Sequence, residues 1–294
     1  MNVVLQKLPK NTFKLTVTLE VGEIKTSQEK VWSDIVKNAE LDGFRKGTAP
    51  AELVKQKVDP RKVESEIITD LIKEYYPKAI EEQKLMPVIE PRIELETFDA
   101  EKVFTFSCTL ATRPTVTVGD YKKAIKDVLE KKNAEAKPET EHAPVHLTPN
   151  EIIEAVTSVT TAEISEILIE EEVNKMLSRL VNQVQAIKLD METYLKSQNK
   201  TSDGIKAEYA QVAQKNIAGE LALFEVVKKE GVEATDTEVE QTLNAMGDAK
   251  LKEQYSKDEY QKAYIKAIIA KNKVIWKLSS PEGDGKEEST DVKN

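Results

Sequence analysis

The apolar residues of this 294-residue chain repeat with two different periods, and the switch between them constrains the fold more than any single motif. In "TFKLTVTLEV", Phe13, Leu15, Val17, Leu19 and Val21 alternate with polar residues. Such a period-two pattern predicts a strand with one buried face. "KVFTFSCTL" repeats the device with Phe104, Phe106, Cys108 and Leu110. From Leu147 onward the spacing becomes three and four. In "ISEILIEEEVNKMLSRLVNQVQAIKL" the series Ile169, Val173, Met176 or Leu177, Leu180, Val184 and Ile187 lines one face of a helix. Between the two regimes, "KKNAEAKPETEHAP" has almost no large apolar residue and cannot bury itself. The expected organisation is an α+β domain over 1–118, a linker over 119–146, an all-α domain over 147–278 and a disordered tail over 279–294.

Helix signals punctuate both parts. Thr26 with Glu29 predicts a capping box ahead of "VWSDIVKNAE", and Asp59-Pro60 opens a longer helix in which Pro77 predicts a kink or break. "PVIEPRIEL" reads as an adjoining strand, with Pro91 marking an edge or bulge. Further on, Thr148 with Glu151, Thr235 with Glu238 and Ser256 with Glu259 each predict a boxed helix start. Asp190 predicts a cap, and Gly231 a helix stop preceded by Lys228 and Lys229.

The formal charge of −9 argues against general binding to DNA or to a membrane surface, both polyanionic. No stretch is long and apolar enough to span a bilayer, and a single cysteine allows no internal disulfide, so a cytoplasmic protein is expected. No phosphate-binding glycine loop, nucleophile elbow or paired-cysteine motif is present, so no catalytic residue and no cofactor is expected. His142 and His146 are four apart with Pro144 between them, which predicts solvated linker histidines and no metal site. Cys108 alternates with Phe104, Phe106 and Leu110, which predicts a buried structural thiol.

One segment remains, "DGFRKGTAP" at 42–50. Its plain reading is an ordinary helix–helix connection, with glycines for positive φ and Pro50 to start the next helix. Two features weigh against that. Arg45 and Lys46 sit together on a turn that carries them away from helical partners, and Phe44 has no apolar neighbour in the segment. A ring beside two cations suits insertion into a groove of mixed protein and phosphate character.

The pattern Gly43-Phe44-Arg45-Lys46-Gly47-x-x-Pro50 resembles the ribosome-docking signature of the trigger factor family, bacterial chaperones of the polypeptide exit tunnel. The flanking "SQEKVWSDIVKNAE" and "IEPRIELETFDAEKVFTFSCTLATRPTVTVGDY" are similar to that family's N-terminal domain. Residues from about 152 to 278 are similar to its helical C-terminal domain. The resemblance implies an α+β ribosome-binding domain followed by an all-α chaperone domain with helical arms. It implies docking through Gly43, Phe44, Arg45, Lys46 and Gly47 on the large ribosomal subunit near the peptide exit tunnel. It further implies an ATP-independent hold on nascent or unfolded polypeptides, with a homodimer as a possible free form. Met176, Leu180, Val184, Met191 and Met246 are the expected client contacts, methionine being adaptable. The chain departs from the family in one respect. The interval between the two domains is too short and too polar for the usual FKBP-type prolyl isomerase domain, so no isomerase activity is expected. Two other readings stay open: a holdase that has lost ribosome contact, and a cryptic isomerase.

Overall fold

A computed structural model describes residues 1–135, 146–245, 255 and 258–279. The chain divides into two compact units, Met1–Pro114 with Ser165–Leu168, and Thr115–Ile164 with Ile169–Asn294.

In the first unit β1 (Asn2–Leu8), β2 (Thr12–Glu20), β3 (Arg92–Asp99) and β4 (Val103–Ala111) form an antiparallel sheet in the order β1-β2-β4-β3. The alternating segments are its two central strands. Leu15, Val17 and Leu19 of β2 lie opposite Cys108, Phe106 and Phe104 of β4, and all six side chains are fully buried. β1 is not among the predicted strands. It is an edge strand that puts Val3 and Leu5 opposite Val17 and Leu15; Val3 and Leu8 are half-buried and its other residues are exposed.

Three helices follow the same logic: α1 (Val21–Asn38), α2 (Ala51–Lys57) and α3 (Pro60–Glu82). Ile24 and Val31 of α1 and Val63, Ile67 and Leu71 of α3 share one core with Val17, Leu19, Phe104 and Phe106. Within it the Phe98 ring stands edge-on to Phe104 at 5.6 Å. Full burial of each such side chain is worth about 1.5–3 kcal/mol. Polar contacts then fix the crossing of the helices. The Ser27 hydroxyl and the Lys30 ammonium both donate to Asp70, at 2.8 and 2.6 Å, which ties α1 to α3. Lys55 of α2 lies 5.8 Å over the Trp32 ring of α1.

Two expectations for these helices need correcting. α1 begins five residues before Thr26. The Glu23 carboxylate accepts the Glu20 N–H at 2.8 Å and closes the first turn, while the Thr26 hydroxyl donates back to the Gly22 carbonyl from inside the helix. α3 runs unbroken through Pro77. Tyr75, Tyr76, Ala79 and Ile80 on either side of it pack on the sheet, and that burial offsets the missing N–H.

The second unit holds α4 (Tyr121–Glu135), α5 (Pro149–Ser158), α6 (Glu166–Ala186) from Ile169 onward, α7 (Met191–Ser197), α8 (Ser202–Glu230), α9 (Asp236–Ala245) and α10 (Glu259–Ser279). It also contains a short antiparallel pair, β5 (Val116–Val118), at the end of the expected α+β stretch, with β6 (Thr160–Ala162), where only helix is predicted. The expected linker differs as well. Residues 121–135 are helical, capped by Asp120, whose carboxylate accepts the Lys123 N–H at 3.0 Å. Tyr121 and Ile125 enter a core with Ile152, Val156, Val226 and Val274, and Val128 and Leu129 pack at its margin. The low apolar content of 130–144 obscures this short amphipathic stretch before it. The predicted tail, Ser256, His142 and Met246 lie outside the described residues, apart from Ser279 at the end of α10.

Carboxylates latch the helices of this unit. Thr148–Glu151 and Thr235–Glu238 form the predicted boxes, and in each case a lysine from another helix completes the clamp. Lys132 of α4 donates to Glu151 at 2.7 Å and to the His146 carbonyl at 3.1 Å. Lys273 of α10 donates to Glu238 at 2.6 Å and to the Glu233 carbonyl at 3.2 Å. At the end of α8, the nearly buried Glu230 carboxylate takes the Tyr121 hydroxyl at 2.6 Å and the ammonium groups of Lys122 and Lys277, each at 2.8 Å. Lys122 and Lys277, followed by Tyr121, hold Glu230 down at about 2, below its ordinary 4.5. The unfolded chain therefore binds this proton more tightly. The contribution of Glu230 is complete above about pH 5 and is lost as pH falls from 4.5 toward 2. Glu230→Ala leaves three donors without their shared acceptor and should cost about 2 kcal/mol at pH 7 in urea denaturation. The deficit against wild type should shrink below pH 3, and a deficit independent of pH would contradict the latch.

Candidate functional site

The segment between α1 and α2 is built by its backbone. Ala39 turns extended at the end of α1, and Pro50 directly precedes α2. Across the neck, the Gly47 N–H donates to the Ala39 carbonyl at 3.1 Å. Within the tip, the Phe44 N–H donates to the Leu41 carbonyl at 2.9 Å, and Thr48 donates twice to the Arg45 carbonyl, from its N–H at 3.0 Å and its hydroxyl at 2.7 Å. Gly43 and Gly47 both have positive φ, +89° and +75°. At Gly43 a Cβ would meet open space, whereas at Gly47 it would lie 2.5 Å from the Lys37 carbonyl oxygen. The neck closes only with glycine at 47.

Phe44, Arg45 and Lys46 all stand at the surface on this turn. Phe44 is 43% exposed. Among the described residues neither Arg45 nor Lys46 forms an ion pair. Ala49, just below, is buried and seats the loop on the body of the unit. The two cations and the ring therefore share one exposed turn that the neck bond and the two turn bonds preorganise.

The expected client contacts fare differently. Leu180 and Val184 are buried at 7% and 2% exposure, in a cluster with Ile205 that Leu177, Met191, Tyr194 and Leu195 flank. They are core, because the short helix α7 folds back over the stripe of α6. Met176 and Met191 are half-buried. Sequence reasoning missed the second unit's groove of about 810 Å³, lined by α5, α6, α8 and α10. Ile153, Val212, Ile217 and Leu223 supply its apolar wall, and a Lys215–Glu154 pair at 2.7 Å lies along it. Val212 is 40% exposed. Its place in the pattern of α8 gives no hint of this, since α8 has apolar residues on several sides. Cys108 is buried in the sheet as predicted, and burial pushes its thiol up to about 11, which leaves it inert near neutral pH.

Comparison with known proteins places both units. A family model described as bacterial trigger factor protein matches residues 1–143, and one for the trigger factor C-terminus matches residues 117–280. The chain belongs to the trigger factor family. The two matches overlap over 117–143, so no stretch of chain lies between them. A trigger factor of Natranaerobius thermophilus is 30% identical over 117 residues, 40% of this chain and 26% of that protein. One from Cutibacterium acnes is 34% identical over 116 residues, 40% of this chain and 22% of the relative. The matched region thus spans about a quarter of the length of these relatives. A solved structure from work on promiscuous substrate recognition in folding and assembly by the trigger factor chaperone shares the fold. Its TM-score is 0.62 at 14% identity, over 94% of this chain and 98% of that one.

Gly47→Ala combines a strained φ with a backbone clash and should cost about 1–3 kcal/mol. Gly43→Ala carries the conformational penalty alone, about 1 kcal/mol. Equal urea midpoints for the two variants would contradict the closed neck.

Proposed function

We propose that this chain is an ATP-independent chaperone of the cytoplasm that docks beside the peptide exit tunnel of the large ribosomal subunit. In this reading it shields apolar segments of nascent or unfolded chains and has no prolyl isomerase activity. The observation that carries docking is the exposed turn Gly43–Gly47. Phe44 fills an apolar notch on the ribosome, while Arg45 and Lys46, which form no ion pair among the described residues, meet phosphate or an acidic protein surface. The solved relative is described as recognising substrates promiscuously in folding and assembly, and the groove of the second unit suits that work here. Apolar burial gains about 25 cal/mol per Å² without demanding a particular sequence. With no nucleotide-binding motif in the sequence, client release follows client folding and mass action. The reading without isomerase rests on the overlap of the two family matches, which leaves no room for an intervening domain. A cytoplasmic setting agrees with the lack, among the described residues, of any helix long and apolar enough to cross a membrane.

Cosedimentation with ribosomes tests the docking. Phe44→Ala/Arg45→Ala/Lys46→Ala should weaken binding by about 100-fold. For the wild type, two phosphate contacts predict about tenfold weaker binding for a fourfold rise in salt. Equal pelleting of variant and wild type would instead favour a holdase that works away from the ribosome. In a proline-containing tetrapeptide assay, the chain should leave the isomerisation rate at its uncatalysed value. Any saturable acceleration would return the enzyme reading.

A further inference from the structure

Directly behind the fingertip the surface changes character. The last turns of α1, the base of the loop, the end of α2 and the first turns of α3 enclose a groove of about 540 Å³. Ile35 and Val58 belong to its apolar floor. Asp34, Glu40, Asp59 and Glu66 line it, against Lys57 and Lys62. None of these six charged groups forms an ion pair among the described residues, although one Asp59 oxygen caps α3 by accepting the Arg61 N–H. The groove is thus net negative, next to a tip that is net positive. It is also continuous with that tip. Ala39 and Leu41 line the groove, and their carbonyls accept the Gly47 and Phe44 N–H groups that shape the loop.

We infer that this groove receives a basic, partly apolar segment of a protein of the large ribosomal subunit, beside the point where the fingertip lands. The inference rests on the docking reading above and adds a second contact of opposite polarity. Phosphate is the wrong occupant, because four carboxylates against two ammonium groups repel a polyanion. A purely hydrated surface does not need the apolar floor. Where the fingertip lands on phosphate, the proteins bound beside it neutralise that RNA with lysine and arginine and so offer a cationic surface. A lysine-rich segment with apolar residues between its charges satisfies both rim and floor. A docking face with two signs also fixes orientation, because a rotated approach brings like charges together.

Charge reversal separates the possible occupants by sign. In ribosome cosedimentation of the full chain, Glu40→Lys/Glu66→Lys should weaken binding by about tenfold, with Glu40→Gln/Glu66→Gln in between. Tighter binding of the reversed form would mean that the groove faces phosphate, and unchanged binding would mean that it lies outside the interface. Either result overturns the inference. Both glutamates are exposed, and the glutamine pair serves should the lysine pair not fold. A second arm uses no ribosome. The full chain is titrated with a short amphipathic peptide of lysine and leucine, and the methyl resonances of Ile35 and Val58 are followed. They should shift saturably, and not at all with a glutamate–leucine peptide or in the reversed variant. Should the fingertip triple variant pellet like wild type while this peptide still binds, docking through the fingertip fails and only the groove's affinity for a basic, partly apolar segment stands. Absence of a peptide-induced shift, with fingertip-dependent pelleting intact, sinks the groove alone.

Discussion

The hydrogen bond from the Gly47 N–H to the Ala39 carbonyl is the contact on which the exposed turn at Gly43–Gly47 depends. The tip beyond it has no core of its own, and an unconstrained loop of that length would lose any binding free energy to ordering. Closing the neck requires a left-handed residue without a side chain at 47 and a carbonyl held still at 39. The first comes from glycine. The second comes from α1, whose Ile24 and Val31 are sunk in the core under β2 and β4 and whose Ser27 and Lys30 grip Asp70 of α3. Burial in the sheet is thus passed along one helix to a backbone oxygen and on to three exposed side chains.

Much of this was legible in the order of residues. The alternation in "TFKLTV" and "FTFSCTL" specifies neighbouring strands because a one-residue slip would turn every phenylalanine to water. Thr148, Asp190 and Thr235 announce helix starts through local chemistry that needs no tertiary partner. What escaped has physical causes. The start of α1 is closed by a carboxylate on an N–H from Glu20, not by a hydroxyl, so the Ser/Thr signature points to the wrong turn. β1, β5 and β6 are edge or three-residue strands that take their stability from a partner. α4 has an apolar face only from Tyr121 to Leu129, and the polar run after it masks the pattern.

The same limit explains why Leu180 and Val184 read as client contacts. A stripe at helical spacing shows that something covers a face, and never what. On α6 the cover is the chain's own α7, which leaves Leu180 and Val184 in the interior. Exposed apolar side chains of the second unit lie elsewhere, among them Val212 beside the groove, Ile187, Tyr264 and Trp276. The cationic tip is legible as an exposed turn, since two glycines, a ring and two adjacent cations in nine residues leave few ways to bury it.

Electrostatics divides the labour. In the second unit lysines are spent on internal latches, at Glu151, Glu230 and Glu238, each held at about 2 by its lysine partners first. In the first unit Arg45 and Lys46 form no ion pair among the described residues, on a chain whose overall charge is −9. A photo-reactive phenylalanine analogue in place of Phe44, irradiated with translating ribosomes, tests the central claim most directly. The predicted adducts are on large-subunit components around the tunnel exit, and they disappear when Arg45 and Lys46 are also replaced by alanine. Adducts confined to the chain itself, or spread over unrelated proteins regardless of the two cations, would contradict it.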